Sequence, residues 1–238
     1  MSRFNPYSDN GGTLVAVSTP SFALIGADTR LVHSYSILTR YKPRVIPLTE
    51  NCVVATQGFA ADSDRFINVV QARVAMFNNA HGEDPTLPAI ARMVQTILYG
   101  KRFFPYYTYV ILAGVDLDKT GAIYSFDPVG SYERESCRAA GAAQSLIQPF
   151  LDNQIMQRNI STPSPFASQS IPSDQPERGI KQFAIPQEDV LKIVTDAFTG
   201  ATERHIQVGD GFEFVWVGID REEGKVVMGE GRVALKRD

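Results

Sequence analysis

The sequence predicts an α+β fold in which two packed sheets are covered on both outer faces by helices, a four-layer αββα sandwich. Three observations lead there. The segments run strands, two helices, strands, two helices, strands, an order that lacks the strict alternation of a doubly wound parallel sheet and favours segregated layers. The first strand-like run begins at Thr13, close to the start of the chain. With 238 residues, 44% hydrophobic and 21% charged, there is material for one large domain with a substantial core.

The opening pair is a hairpin. TLVAVST (13–19) and FALIGADTR (22–30) are rich in apolar and β-branched residues and flank a Pro20-Ser21 turn. VIPL (45–48) and CVVATQG (52–58) form a second pair of strands. From Asp62 the period changes: Phe66, Val69, Val70, Val74 and Phe77 fall on one helical face, with Asp62 or Ser63 as N-cap. A second helix over about 86–100 turns Ile90, Val94, Ile97 and Leu98 inward and ends near Gly100.

TYVILAGVD (108–116) and AIYSFD (122–127) flank the turn LDKTG, and GSYERESCR (130–138) adds a third strand. A helix at about 142–153 places Leu146, Ile147, Phe150 and Leu151 inward. Another, over 186–201, repeats Val190, Ile193, Val194, Ala197 and Phe198 at helical spacing, with Pro186 in its first turn. FEFVWVGID (212–220) and VVMGEGRVAL (226–235), joined by REEGK, close the chain. Two segments stand outside this pattern. Residues 1–10 form an N-terminal extension, and 154–185, dense in Ser, Pro and Gln, is too long and polar for the sandwich core and is expected to be an arm over an adjoining subunit or a disordered insertion.

Composition removes several function classes. A formal net charge of -3, with 23 Lys+Arg against 26 Asp+Glu, gives no electrostatic footprint for nucleic acid. No run of about 18 apolar residues could span a bilayer and no secretory h-region opens the chain, so a soluble intracellular protein is expected. Cys52 and Cys137 have neither metal-type spacing nor a disulfide framework, so no metal or cofactor is expected. Phosphate-loop, dinucleotide, nucleophile-elbow and zincin motifs do not occur. His33, His81 and His205 are far apart in sequence and read as solvated or hydrogen-bonded residues rather than members of a triad. The aromatic run KRFFPYYTY (101–109) fits buried and protein–protein contacts better than base stacking in so acidic a chain.

Several stretches carry a resemblance. GADTR (26–30), TQGFAAD (56–62), YSFDPVGSY (124–132) and TDAFTGATERHIQVGDG (195–211) together resemble the proteasome beta subunits over nearly the whole chain. FNPYSDNGGT, YGKRFFPYY, YSFDPVGSYERE, PFLDNQ and ATERHIQVGDG are similar to the beta type-1 class, the sixth position of the eukaryotic beta ring. The fold this implies is the sandwich of the N-terminal nucleophile hydrolases. In active members, a threonine freed by propeptide cleavage is the nucleophile and its α-amino group the base, so the chemistry needs a hydroxyl at the chain terminus.

Carried over residue by residue, the resemblance puts Gly11 at the nucleophile's place and Asp28 at the tuning aspartate. The lysine position falls on Arg44, with Lys42 close by, and the oxyanion-hole glycine on Gly58. Asp196 stands at a supporting aspartate, and Thr199 and Ala142 at two serine positions. A glycine has no side-chain oxygen, and a guanidinium is no substitute for a compact, tunable ammonium. Nearby Thr13 is displaced by two residues.

The resemblance therefore implies a non-catalytic subunit of a threonine peptidase complex, cytoplasmic and nuclear. Its implied partners are the beta type-5 and beta type-7 neighbours, the alpha ring, the opposite beta ring and unfolded polypeptide substrate. Asp127, Pro128 and Ser131 of DPVGS are implied contacts to the beta type-5 substrate channel; their alternative role is to end a strand and make a turn. The alternative function is an active threonine peptidase.

Overall fold

Strand alternation sets the layering, because successive side chains of a strand leave opposite faces of its sheet. The computed structural model describes residues 6–158, 182–220 and 223–237. In β1 (Thr13–Ser18) and β2 (Phe22–Asp28), Leu14, Ala16, Ala23, Ile25 and Ala27 enter one apolar layer while Val15, Val17, Phe22 and Leu24 enter another. β6 (Cys52–Gly58) and β7 (Thr108–Val115) divide the same way. Val53, Ala55, Ile111, Ala113 and Val115 meet the residues from β1 and β2, while Cys52, Val54, Val110 and Leu112 face away. The shared middle layer is rich in alanine, which lets the two sheets approach closely.

Each large sheet has five strands, all paired antiparallel. One is ordered β10-β1-β2-β11-β12, with β10 (Cys137–Gly141), β11 (Gly211–Ile219) and β12 (Val226–Ala234); the other is β5-β6-β7-β8-β9, with β5 (Val45–Thr49), β8 (Gly121–Phe126) and β9 (Tyr132–Glu135). Helices α1 (Ala60–His81) and α2 (Leu87–Tyr99) cover the second sheet through Phe66, Val70, Ile90 and Val94; α3 (Gln144–Gln154) and α4 (Gln187–Arg204) cover the first through Ile147, Leu151, Val194 and Phe198. The expected αββα sandwich is present.

Several local expectations are corrected. GSYERESCR is not one strand: it breaks at the buried Ser136 into β9 and β10, which belong to different sheets. A two-stranded hairpin, β3 (Leu31–His33) and β4 (Ser36–Thr39), was unpredicted because its second strand is exposed and shows no apolar alternation. The N-cap of α1 is Phe59, which offers no side-chain acceptor; Asp62 instead accepts the Tyr107 N–H at 2.8 Å, and Ser63 bonds to Thr108. Pro186 is the N-cap of α4 and lies just outside its first turn. Leu146 and Phe150 face solvent at 43% and 38% exposure, so Ile147 and Leu151 are the buried apolar residues of α3, and Gln148 Oε1 also accepts the Ala139 N–H of β10 at 2.6 Å.

Both ends of the 154–185 segment belong to the core. Ile155, Phe183 and Ile185 are buried there, and Gln182 Nε2 donates to the Gly121 carbonyl at 2.8 Å and to Ser18 Oγ at 3.0 Å. The remainder of the expected arm, 159–181, and residues 1–5 of the extension lie outside the described residues.

Candidate functional site

The chain reaches β1 through Asn10, Gly11 and Gly12, all buried, and the backbone there is tied to four other elements. Asn10 does most of the tying. Its N–H donates to the Gly58 carbonyl at 3.2 Å, its carbonyl accepts the Val32 N–H at 3.3 Å, and its Nδ2 donates to the Val32 carbonyl at 3.0 Å. Its Oδ1 accepts the Ala60 N–H at 3.0 Å. Asn10 thus satisfies one of the orphan donors of α1 from fifty residues upstream, a service Phe59 cannot perform.

Gly11 and Gly12 have φ of 68° and 97°, in the left-handed region where a side chain is strained. Space forbids one as well at Gly12, where a Cβ would lie 2.4 Å from Arg44 Nε. The Gly11 carbonyl accepts the Gly58 N–H at 3.4 Å, so the donor of the expected oxyanion hole is already engaged. Gly58 itself has φ of 114°, and a Cβ there would meet the Tyr107 carbonyl at 2.7 Å. On the other side, the Ala142 N–H donates to the Gly12 carbonyl at 3.0 Å. Thr13 is fully buried: its N–H donates to Asp28 Oδ1 at 2.8 Å and its Oγ1 accepts the Ala143 N–H at 3.2 Å.

Asp28 and Arg44 form the charged floor. Both are buried, with Arg44 Nε 3.9 Å from Asp28 Oδ1, while Arg44 Nη2 donates to the Arg30 carbonyl at 2.7 Å. The contact is incomplete, since Asp28 Oδ2 and Arg44 Nη1 have no hydrogen-bond partner among the described residues. Burial pushes the Asp28 carboxyl up to about 6, with the nearby Arg44 charge and the Thr13 N–H opposing it. Burial likewise lowers the Arg44 guanidinium against the opposing pull of Asp28. Lys42 is not the residue facing the aspartate; its Nζ pairs with Asp64 at 2.6 Å.

Gly11, Asp28, Arg44, Gly58 and Ala142 are therefore brought together, whereas Asp196 and Thr199 are not. Both are exposed on α4, and Thr199 Oγ1 donates to the Thr195 carbonyl within its own helix. The residue from that part of the chain that approaches Gly11 is Gln207, whose Cβ and Oε1 would lie 3.4 Å from a Gly11 Cβ. A small open cleft of about 270 Å³ flanks the site, lined by Asp9, Gln57, Gly58, Tyr107, Ala142 and Gln144 among others.

Elsewhere, Asp127 Oδ1 accepts the N–H groups of Val129 (3.1 Å) and Ser131 (2.7 Å), so this carboxylate holds the DPVGS turn. The three histidines stay apart: His33 bonds Ser8, His81 bonds the Phe77 carbonyl, and His205 accepts the Gln207 N–H. Cys52 and Cys137 are buried free thiols whose pKa burial drives upward. Among the described residues no group of His, Cys, Asp and Glu could hold a metal, and no helix is long and apolar enough to cross a membrane.

One cluster was missed from sequence. Arg30, in GADTR, pairs through Nε with Asp210 Oδ2 at 2.7 Å, and Arg40 Nη1 pairs with Asp210 Oδ1 at 2.6 Å. Arg30 also donates to the Ile206 and Lys236 carbonyls. Burial works against the charge on Asp210, but the hydrogen bonds and charges of Arg30 and Arg40 outweigh it and hold the carboxyl below its usual value. The signal available was that an arginine and an aspartate, 180 residues apart, each sit in a short motif that an apolar pattern does not explain.

A family model for proteasome subunits matches residues 8–164. The chain is 47% identical to proteasome subunit beta type-6 of Saccharomyces cerevisiae, over 90% of this chain and 86% of that protein. It is 40% identical to proteasome subunit beta type-1-B of Carassius auratus, over 89% of this chain and 82% of that protein, and 36% identical to proteasome subunit beta type-1 of Petunia hybrida, over 93% and 95%.

Proposed function

The chain belongs to the proteasome subunit family, and on that premise we propose that it is a non-catalytic beta subunit of the 20S core particle. It would support ring assembly and shape a neighbour's substrate channel in ATP- and ubiquitin-dependent protein degradation. One observation carries the reading: at Gly11 there is no hydroxyl, and with Asn10 attached its nitrogen is a buried amide that donates to Asp9 Oδ1 at 2.9 Å. The nucleophile and the base are thus both lacking, and the Gly58 N–H that would steady an oxyanion is bonded to the Gly11 carbonyl. Trimming before Gly11 would free an amine but no hydroxyl, and would remove the Asn10 contacts that cap α1.

The test uses the native particle treated with a threonine-directed covalent inhibitor. Intact-mass analysis should show adducts on other subunits and none on this chain. Labelling of this chain would establish the alternative, an active threonine peptidase.

The expected neighbours are the beta type-5 and beta type-7 subunits in the same ring, the alpha ring, and the opposite beta ring, in cytoplasm and nucleus. Large apolar side chains that a monomer leaves in water support a buried future for this surface: Phe103 is 98% exposed and Tyr35 94%. Asp127, Pro128 and Ser131 are proposed to contact peptide bound in the beta type-5 channel. Since the DPVGS turn already uses Asp127 Oδ1, Asp127→Ala should loosen the turn and alter the neighbour's preference among peptides differing at one subsite. Unchanged relative rates would remove Asp127 from the channel.

A further inference from the structure

The sequence contains a single Asn-Gly pair, Asn10-Gly11, just ahead of β1. Asparagine is a chemically labile residue, and a following glycine, with no side chain to shield its nitrogen and few limits on its dihedrals, makes it most open to imide formation. In that reaction the Gly11 nitrogen gives up its proton and attacks Asn10 Cγ. The new C–N bond closes a succinimide ring, the Cγ–Nδ2 bond breaks, and Nδ2 takes up a proton and leaves as ammonia. Water then adds across either ring carbonyl and opens it, leaving an aspartate or an isoaspartate in place of Asn10.

The folded chain holds every group this needs. Asn10 is only 7% exposed, its Nδ2 donates to the Val32 carbonyl at 3.0 Å, and its Oδ1 accepts the Ala60 N–H at 3.0 Å. The attacking nitrogen is engaged as well, since the Gly11 N–H donates to Asp9 Oδ1 at 2.9 Å, and a carboxylate at that distance disfavours the amide anion. Closing the ring would expel Nδ2 from the Val32 contact and draw Cγ away from Ala60. The Ala60 donor does polarise the Asn10 side-chain carbonyl, but polarisation accelerates attack only when the carbon can reach the nitrogen.

We propose that Asn10 is a deamidation site that folding closes, so that the pair reacts in the unfolded chain and is preserved in the native one. The mark is one-way. An aspartate there has no donor for the Val32 carbonyl and sets a negative charge against it. An isoaspartate adds a methylene to the backbone between the Asn10 amide, bonded to Gly58, and the Gly11 carbonyl, bonded to the Gly58 N–H, so both bonds cannot be kept. A chain that lingers unfolded therefore loses the residue that ties β1, β3 and α1 together.

The experiment incubates the full chain, as purified under native conditions and in guanidinium chloride, at the same neutral pH and temperature. Peptide mapping by mass spectrometry follows conversion of Asn10 to its acid forms. Conversion should be slower in the native sample by roughly tenfold or more, because two side-chain hydrogen bonds must open first. Equal rates in the two samples, or no conversion in denaturant, overturn the inference. A second measurement separates these contacts from general burial. Ala60 is the first residue of α1, where proline is tolerated, and Phe59 before it already has extended dihedrals. Ala60→Pro removes the donor to Oδ1 and should raise the native rate about fivefold while leaving the denatured rate unchanged. Equal native rates in this variant and the wild type also overturn it.

Discussion

Two buried acid–arginine contacts lie close together in this molecule, and they are built differently. Asp210 holds Arg30 at 2.7 Å and Arg40 at 2.6 Å and joins β2, the β4 turn and the C-terminal segment into one network. Asp28 and Arg44 stand 3.9 Å apart, each with an unpartnered polar atom. The first arrangement satisfies nearly every lone pair it buries; the second retains charge beside the glycine pair that leads into β1. Burial penalises both aspartates, but only in the first do the partners overcome it. Position in the candidate site and contribution to stability are thus separable, and here they point to different residues.

The largest break in that comparison should come from Asp210→Ala. It strands a buried guanidinium, and a loss of about 3–5 kcal/mol is expected in denaturant unfolding. Arg40→Ala should cost far less, about 0–1 kcal/mol, because Arg40 is half exposed.

The next effect is one of sign. The folded Asp28 pKa of about 6 exceeds its ordinary 3.8, so the folded state binds this proton more tightly than the unfolded one. Ionised Asp28 therefore costs stability at neutral pH, on the order of 3 kcal/mol, and the cost is relieved as pH falls through 6 toward 4. Wild-type stability measured against Asp28→Asn should rise over that interval. Asp210 runs the opposite way: its contribution is present above the unfolded carboxyl value and fades as pH falls through the lowered folded value. Parallel profiles for Asp28→Asn and Asp210→Asn would erase the distinction.

Gly12→Ala should cost roughly 2 kcal/mol from strained φ and the clash with Arg44. Combined with Arg44→Ala, the two losses should sum to less than their separate values, which a double-mutant cycle reads directly. Asn10→Ala should cost about 1–2 kcal/mol and speed hydrogen exchange in the first turn of α1. The smallest effect is expected at Thr199→Ala, within about 0.5 kcal/mol, because its side chain bonds only within its own helix.

Much of the architecture was legible because apolar periodicity is a local signal that the core enforces. Val53 and Val54 enter different layers as alternation requires, and Val190, Val194 and Phe198 share a helical face. The pattern failed where tertiary partners decide. Leu146 and Phe150 look like core residues in the helical repeat, yet only the placement of α3 determines which face meets the sheet. The cap of α1 could not be found locally, because its acceptor is Asn10.

At the candidate site, Gly11, Asp28, Arg44, Gly58 and Ala142 lie together, at positions that only the family resemblance supplied and no local spacing indicates. Asp196 and Thr199 do not, because a short likeness within TDAFTGA falls on the solvent face of a helix. Arg30 and Asp210 were invisible to apolar patterning; each stands out only as a charged residue in a short motif, and local pattern does not join two motifs 180 residues apart.

The break at Ser136 has a mechanical consequence. Tyr132–Glu135 is an edge strand of one sheet and Cys137–Gly141 an edge strand of the other, with a single residue between them. Pulling the two halves of the sandwich apart would have to strip one strand from its ladder, so the alanine-rich seam cannot open by sliding. A molecule stitched in this way should give way all at once under load or heat, with one transition reported alike by probes placed in either sheet.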